Sequence, residues 1–346
     1  MKLKLSAIAV AAALALAYGQ AARTAEATIS QDGDGHDATI TQEIVHWEPA
    51  EQSTTAAITQ TGSGHTGTID QFHTAATASM LQSGVGNVAS IGQNTANVAA
   101  SIVQNGDAGT ATISQTGGVC CAGPQSATYG ASASITQHAG TNLGATITQV
   151  GVIDVLATIS QGELQPGSFD QTATIVQANG SVLSASINQV FGWNSTVLVD
   201  QSGTNLSASV SQLTADSSAS VIQRGSDQTA SISQDNFFSG LAAITQDGSG
   251  NNADIHQHWN GATTNLSASI LQNGSALDAD VTQTGAYNDA FIGQSGAGHV
   301  ATISQTGNGT AGAPNSARIE QSGLNAYVAS IMQSGGAGNT SLIVQK

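Results

Sequence analysis

From residue 27 onward the chain repeats one short pattern: small, polar, aliphatic, polar, Gln, then a glycine-rich break. The first instance is Ala27-Thr-Ile-Ser-Gln31. Others end at Gln42, Gln60, Gln71, Gln82, Gln93, Gln104, Gln115, Gln234, Gln246, Gln283, Gln294, Gln305, Gln333 and Gln345, among 26 copies in all. Ala fills the first slot except at Gly67, Val197 and Ser341, and Ile the third except at Met80, Val199, Val210, Val221 and Val281. Gln fills the fifth slot in every copy. Thirteen of the 25 spacings are 11 residues and seven are 12. Period-two alternation rich in Ile, Val and Thr predicts a strand with one buried face. Stretches such as Gly33-Asp-Gly35 and Gly84-Val-Gly86-Asn87 supply the positive φ of tight turns. A helix is excluded by these interruptions and by the missing 3.6-residue period. The expected fold is all-β, a two-sheet parallel β-solenoid.

The turns set the true repeat. Gly stands two residues after Gln in copies 1, 3, 5 and 7 (Gly33, Gly62, Gly84, Gly106). After the long gap holding Cys120, Cys121 and Pro124 it follows even copies instead, as at Gly151, Gly203, Gly225, Gly248, Gly274, Gly296 and Gly323. Gly285 and Gly335 depart from this rule. One vacated strand slot in the gap would restore the parity. The repeat is then about 22 residues, strand, tight turn, strand, variable turn, and the insertions near Trp47, Pro166, Trp259 and Pro314 share the variable side. About 13 turns at about 4.8 Å each make a rod roughly 65 Å long. Ala, Ile and Gln point inward; stacked Gln amides satisfy one another, because an unpaired buried amide costs about 1–3 kcal/mol. The first strand starts at Ala27 and the last ends beside Lys346, with no room for caps. Ala27, Ile29 and Gln31 at one end and Ile343 and Gln345 at the other are thus candidate polymerisation faces.

Composition supports a thin core. Aromatic residues are 4 % and charged residues 8 % of 346, and Gly contributes 40. The regular Ile ladder argues against disorder. Residues 1–19 read as a secretory signal peptide, with cleavage between 17 and 22. Residues 20–26 are a short N-terminal segment, 27–345 the repeats, and 116–132 a loop insertion. No other apolar run approaches membrane length. Removing Lys2 and Lys4 takes the formal charge from −16 to −18. So acidic a chain repels nucleic acid and anionic lipid, and no membrane insertion is expected.

The repeats resemble those of the curlin family, the subunits of bacterial curli fibres. The shared motif, Gln-x-Gly-x-x-Asn-x-Ala-x-x-x-Gln, stands here as Gln82-Ser-Gly84-Val-Gly-Asn87-Val-Ala89-Ser-Ile-Gly-Gln93, and again over 246–257 and 283–294. His36, His65 and His299 take the Asn slot elsewhere. The resemblance implies an extracellular functional amyloid of the biofilm matrix that mediates adhesion. Its implied partners are further copies of itself, a nucleator subunit, an outer-membrane secretion pore and a periplasmic chaperone. This chain has more repeats than a typical curli subunit and only a short segment between signal and repeats.

Other chemistry is thin. His256 and His258 flank Gln257 and read as a solvated face rather than a metal site. Asp32, Asp34 and Asp37 lack the roughly nine-residue period of calcium β-rolls. Thr39-Ile-Thr41 and Thr146-Ile-Thr148 are too few for an ice-binding array. Adjacent Cys120 and Cys121 close only a strained ring. Trp47, Trp193 and Trp259 lie in or beside turns. No nucleophile elbow, metalloprotease helix or phosphate loop is present, so no catalysis and no cofactor is expected. The expected function is a secreted, end-to-end polymer. The alternatives are a minor or nucleating subunit and a non-polymerising adhesin that binds a glycan or surface.

Overall fold

The computed structural model describes residues 25–43, 53–72, 75–117, 130–162, 169–235, 239–258 and 265–346. The proposed signal peptide, Trp47, Cys120, Cys121, Pro124, Pro166 and Trp259 lie outside them. The described chain is strand and turn throughout, coiled as a parallel β-solenoid. Each rung holds two strands. Ala25–Asp34 stacks on Thr54–Ser63, and Asp37–Gln42 on Thr66–Gln71, so each strand lies over the strand two copies on. We call these column I and column II. Column I continues unbroken to Val328–Ser334 and column II to Thr340–Gln345.

Register follows the motif. Ile29 pairs with Ile58, Ile58 with Met80 and Met80 with Ile102; in the other column Ile40 pairs with Ile69 and Ile69 with Ile91. A one-residue slip would turn every Ile and Gln to solvent, so the inward set fixes the pairing. The inner faces meet in one long, narrow Ala–Ile core. Departures from the motif compensate one another. Met80 fits beside Gly67, where an added Cβ would lie 2.8 Å from the Met80 sulfur. Val197 adds volume at a small slot where Val199, Val210 and Val221 each remove a methylene.

The vacated slot does not exist. Ala131–Gln137 stacks on Val98–Gln104 and Gly144–Ile153 on Thr110–Thr116, so the alternation runs straight through the insertion. What changes is the edge carrying the tight arc. Early in the rod the glycines stack where column I passes to column II: a Cβ on Gly62 would lie 2.1 Å from the Gly84 carbonyl oxygen. From Gly180 onward the equivalent stack sits where column II climbs to the next rung, and Gly203, Gly225, Gly248, Gly274 and Gly296 continue it. The insertions therefore do not share a side: those near Pro166, Trp259 and Pro314 interrupt the first edge, and that near Trp47 the second. The reason is local. Both strand types carry the same motif, so either edge accepts a tight arc or a long loop. Three strands, Thr172–Phe191, Thr196–Leu213 and Ser218–Asp235, stay extended around the second edge and serve both columns.

Candidate assembly surfaces

The fifth-slot glutamines build two continuous side-chain ladders. In column I, Nε2 of Gln31 donates to Oε1 of Gln60 at 2.7 Å, Gln60 to Gln82 at 2.8 Å, and Gln82 to Gln104 at 2.9 Å. The line runs through Gln137, Gln161, Gln189, Gln212, Gln234, Gln257, Gln283 and Gln305 to Gln333. Column II repeats it from Gln42 through Gln71, Gln93, Gln115, Gln149, Gln177, Gln201, Gln223, Gln246, Gln272, Gln294 and Gln321 to Gln345. Between the ends these side chains are buried. The second amide hydrogen reaches a backbone carbonyl of the facing column, as from Gln71 to Thr55, Gln82 to Thr66 and Gln93 to Thr77. One carboxamide thus joins rung to rung and sheet to sheet. Every donation points the same way, from the N-terminal rung toward the C-terminal one.

A third ladder lines the arcs. Asn87 donates from Nδ2 to the carbonyls of Ser83 and Gly106, and its Oδ1 accepts the Gly109 N–H at 2.8 Å. His65 does the same work with a ring. Its Nε2 meets the Thr61 carbonyl at 3.1 Å and its Nδ1 accepts the Asn87 N–H at 3.2 Å. A carbonyl only accepts, so the proton is on Nε2 and the ring is neutral. His36 stacks on His65 with centroids 5.1 Å apart, and His299 on Tyr327 at 5.3 Å. The sequence places these histidines in the Asn slot, but the shared bonding needs the fold to be seen.

The two ends differ. Ile29, Ile40 and Ile343 are only partly buried, whereas the interior Ile rows are closed. Ala27, Gln31 and Gln345 are likewise half-buried. At the first rung the outermost ladder atoms are the Oε1 acceptors of Gln31 and Gln42. At the last rung they are Nε2 donors. Gln333 gives its hydrogens to the Ser316 carbonyl and to Ser341 Oγ, at 2.9 and 3.0 Å. Ser341 stands where nearly every other copy has Ala. Charge differs too: Glu26, Asp32, Asp34 and Asp37 lie in the first two strands, while Val328–Ser334 and Thr340–Gln345 hold no acid.

The outer faces carry few charged contacts. His256 pairs with Asp254 at 3.2 Å and His258 with Asp235 at 3.1 Å. Asp280 lies one rung on from Asp254. Burial pushes the Asp280 carboxyl above its ordinary range, and the neighbouring Asp254 carboxylate adds to this. Among the described residues no three His, Cys, Asp or Glu side chains are placed to hold a metal. Among them, too, no helix is long and apolar enough to cross a membrane. Phe291 is held between Arg318, whose guanidinium sits 4.1 Å from the ring centroid, and Gly293, where any Cβ would strike the ring.

Comparison with known proteins adds one finding. Residues 192–225 match the family model described as curlin associated repeat. That segment carries a curlin associated repeat. The matched segment spans Thr196–Leu213 and the start of Ser218–Asp235, more than one full rung of the coil. It has the same inward Ala, Val and Gln as the other rungs, and its register continues into both neighbours. No curated protein matches the chain.

Proposed function

We propose that this curlin-repeat solenoid is an exported structural subunit that polymerises end to end into a curli-like amyloid fibre of the biofilm matrix. One observation carries the reading: both glutamine ladders are polar, with acceptors at the first rung and donors at the last. Head-to-tail stacking lets Gln333 and Gln345 donate to Gln31 and Gln42 of the next copy, and both strands extend in parallel register. Head-to-head contact opposes acceptor to acceptor and one acidic rung to another, which costs both hydrogen bonds and repulsion. The faces are built from Ala27, Ile29 and Gln31 on one side and Ile343 and Gln345 on the other. Export, adhesion, a nucleator, a secretion pore and a chaperone belong to the same proposal through the family resemblance. Catalysis, nucleic acid and cofactors have no place in it.

The test is elongation from preformed seeds of the mature protein, followed by amyloid-dye fluorescence. Gln345→Ala slows elongation, because the last rung loses a ladder donor, whereas Thr28→Ala, on the outer face, leaves it unchanged. Equal rates for the two variants would remove the inward ladder from the mechanism. A chain that stays monomeric at micromolar concentration would favour the non-polymerising adhesin.

A further inference from the structure

On the edge joining column I to column II, in the middle of the rod, two exposed aromatic residues sit on successive rungs. Phe169 and Trp193 are bridged in parallel and are 46 % and 45 % exposed. Two rings this large, each about half exposed on neighbouring rungs, stand out on a chain with 4 % aromatic content. The next residue of each rung is a polar row. Asn142 donates to Asp170 Oδ1 at 3.2 Å, and Asn194 to Asp216 Oδ1 at 2.9 Å. That row alternates amide and carboxylate, rung by rung, on the exposed side.

Beside this row lies a depression of about 300 Å³ lined by Ala108, Thr110, Asn142, Gly144, Asp170 and Thr172. Gly144 is part of its lining. Both register partners of Gly144 are threonines, Thr110 and Thr172. Nothing in the backbone demands glycine there. Its φ is not positive, and an added Cβ would meet only the Gln171 carbonyl oxygen at 3.7 Å and Thr172 Oγ1 at 3.8 Å, ordinary contacts. The missing side chain opens a site that the fold does not need.

We propose that this edge binds a neutral oligosaccharide, with Phe169 and Trp193 as the platform and the Asn142–Asp170 pair and Thr110 and Thr172 hydroxyls around the Gly144 depression. The chemistry fits a pyranose with equatorial hydroxyls. Its C–H face stacks on aromatic rings, and its vicinal hydroxyls need neighbouring donors and acceptors, which an amide beside a carboxylate supplies. Asp107, Asp170 and Asp216 along the same edge repel an anionic glycan. The site is on the side of the rod, away from both end faces, so the inference does not rest on polymerisation.

The experiment is calorimetric titration of cellohexaose, a neutral hexamer with every substituent equatorial, into freshly desalted full chain and, separately, into assembled material. A hexamer of galacturonic acid serves as the anionic comparison. Wild type gives saturable binding of the neutral hexamer in both states and little of the anionic one. Trp193→Ala, Phe169→Ala and Gly144→Thr each weaken it about tenfold or more, as loss of a central contact does, while Phe72→Ala, an exposed aromatic elsewhere, leaves it unchanged. Unaltered circular dichroism of Gly144→Thr confirms that only the depression was filled. No saturable heat with cellohexaose, equal binding by Gly144→Thr and wild type, or equal affinity for the anionic hexamer would each overturn the proposal.

Discussion

A primary carboxamide donates twice and accepts once or more within one plane, and that is the demand at the fifth slot. Asn is too short to reach the facing column, Glu has no hydrogens to give, and an aliphatic residue leaves three backbone or amide groups unpaired. Gln223 illustrates the cost. Its removal in Gln223→Ala strands Gln201 Nε2, Gln246 Oε1 and the Ser207 carbonyl. The expected loss of stability is about 3 kcal/mol or more, read from the denaturant midpoint. His65 makes the complementary case. His65→Asn keeps a donor for Thr61 and an acceptor for the Asn87 N–H and should be nearly silent, while His65→Leu loses both and costs about 2 kcal/mol or more. Asp280 gives the pH dependence. Its carboxyl is raised in the folded state, so the folded chain holds its proton more tightly, and stability falls as pH rises from the ordinary carboxylate range through the raised value. Asp280→Asn therefore raises the melting temperature at pH 7 and not at pH 3. An equal shift at both values would contradict the assignment.

At the scale of strands and arcs, the glycine stack is the least forgiving feature. A Cβ on Gly225 would lie 2.0 Å from the Gly248 carbonyl oxygen, and its φ of 115° disfavours any side chain. Gly225→Ala should separate the two rungs and appear as lost hydrogen-exchange protection on both sides of residue 225. Gly86→Asn should be tolerated, since its site is open and the same row carries Asn142 at a φ of 57°. The strand pattern was legible in the sequence because one buried face imposes period two, and Ile and Gln have no alternative burial. The pairing of each copy with the copy two positions on was legible too. The edge carrying each arc was not. Glycine parity reports which turn is tight, and a coil with two equivalent edges can exchange them, as this one does between Gly106, which stacks on Gly140 at the first edge, and Gly180, which stacks on Gly203 at the second. Nor did the sequence show which way the glutamines donate, because either orientation satisfies the same spacing.

For the whole molecule, the direction of the ladders sets the direction of growth in the proposed fibre. Ser341 enters here, since its hydroxyl occupies the Gln333 donor that a following rung would use. Ser341→Ala frees that donor and should speed elongation from seeds without changing the fold; an unchanged rate would show that the contact does not gate addition. In the proposed fibre the coil passes from one subunit into the next without interruption. A high-resolution cryo-electron microscopy map of the filament tests it most directly. The expected map shows one polar stack at about 4.8 Å per rung, with Thr340–Gln345 hydrogen-bonded in parallel to Asp37–Gln42 of the next copy and Gln345 bonded to its Gln42. A filament whose subunits meet through their edges or outer faces, or with alternating polarity, would contradict it.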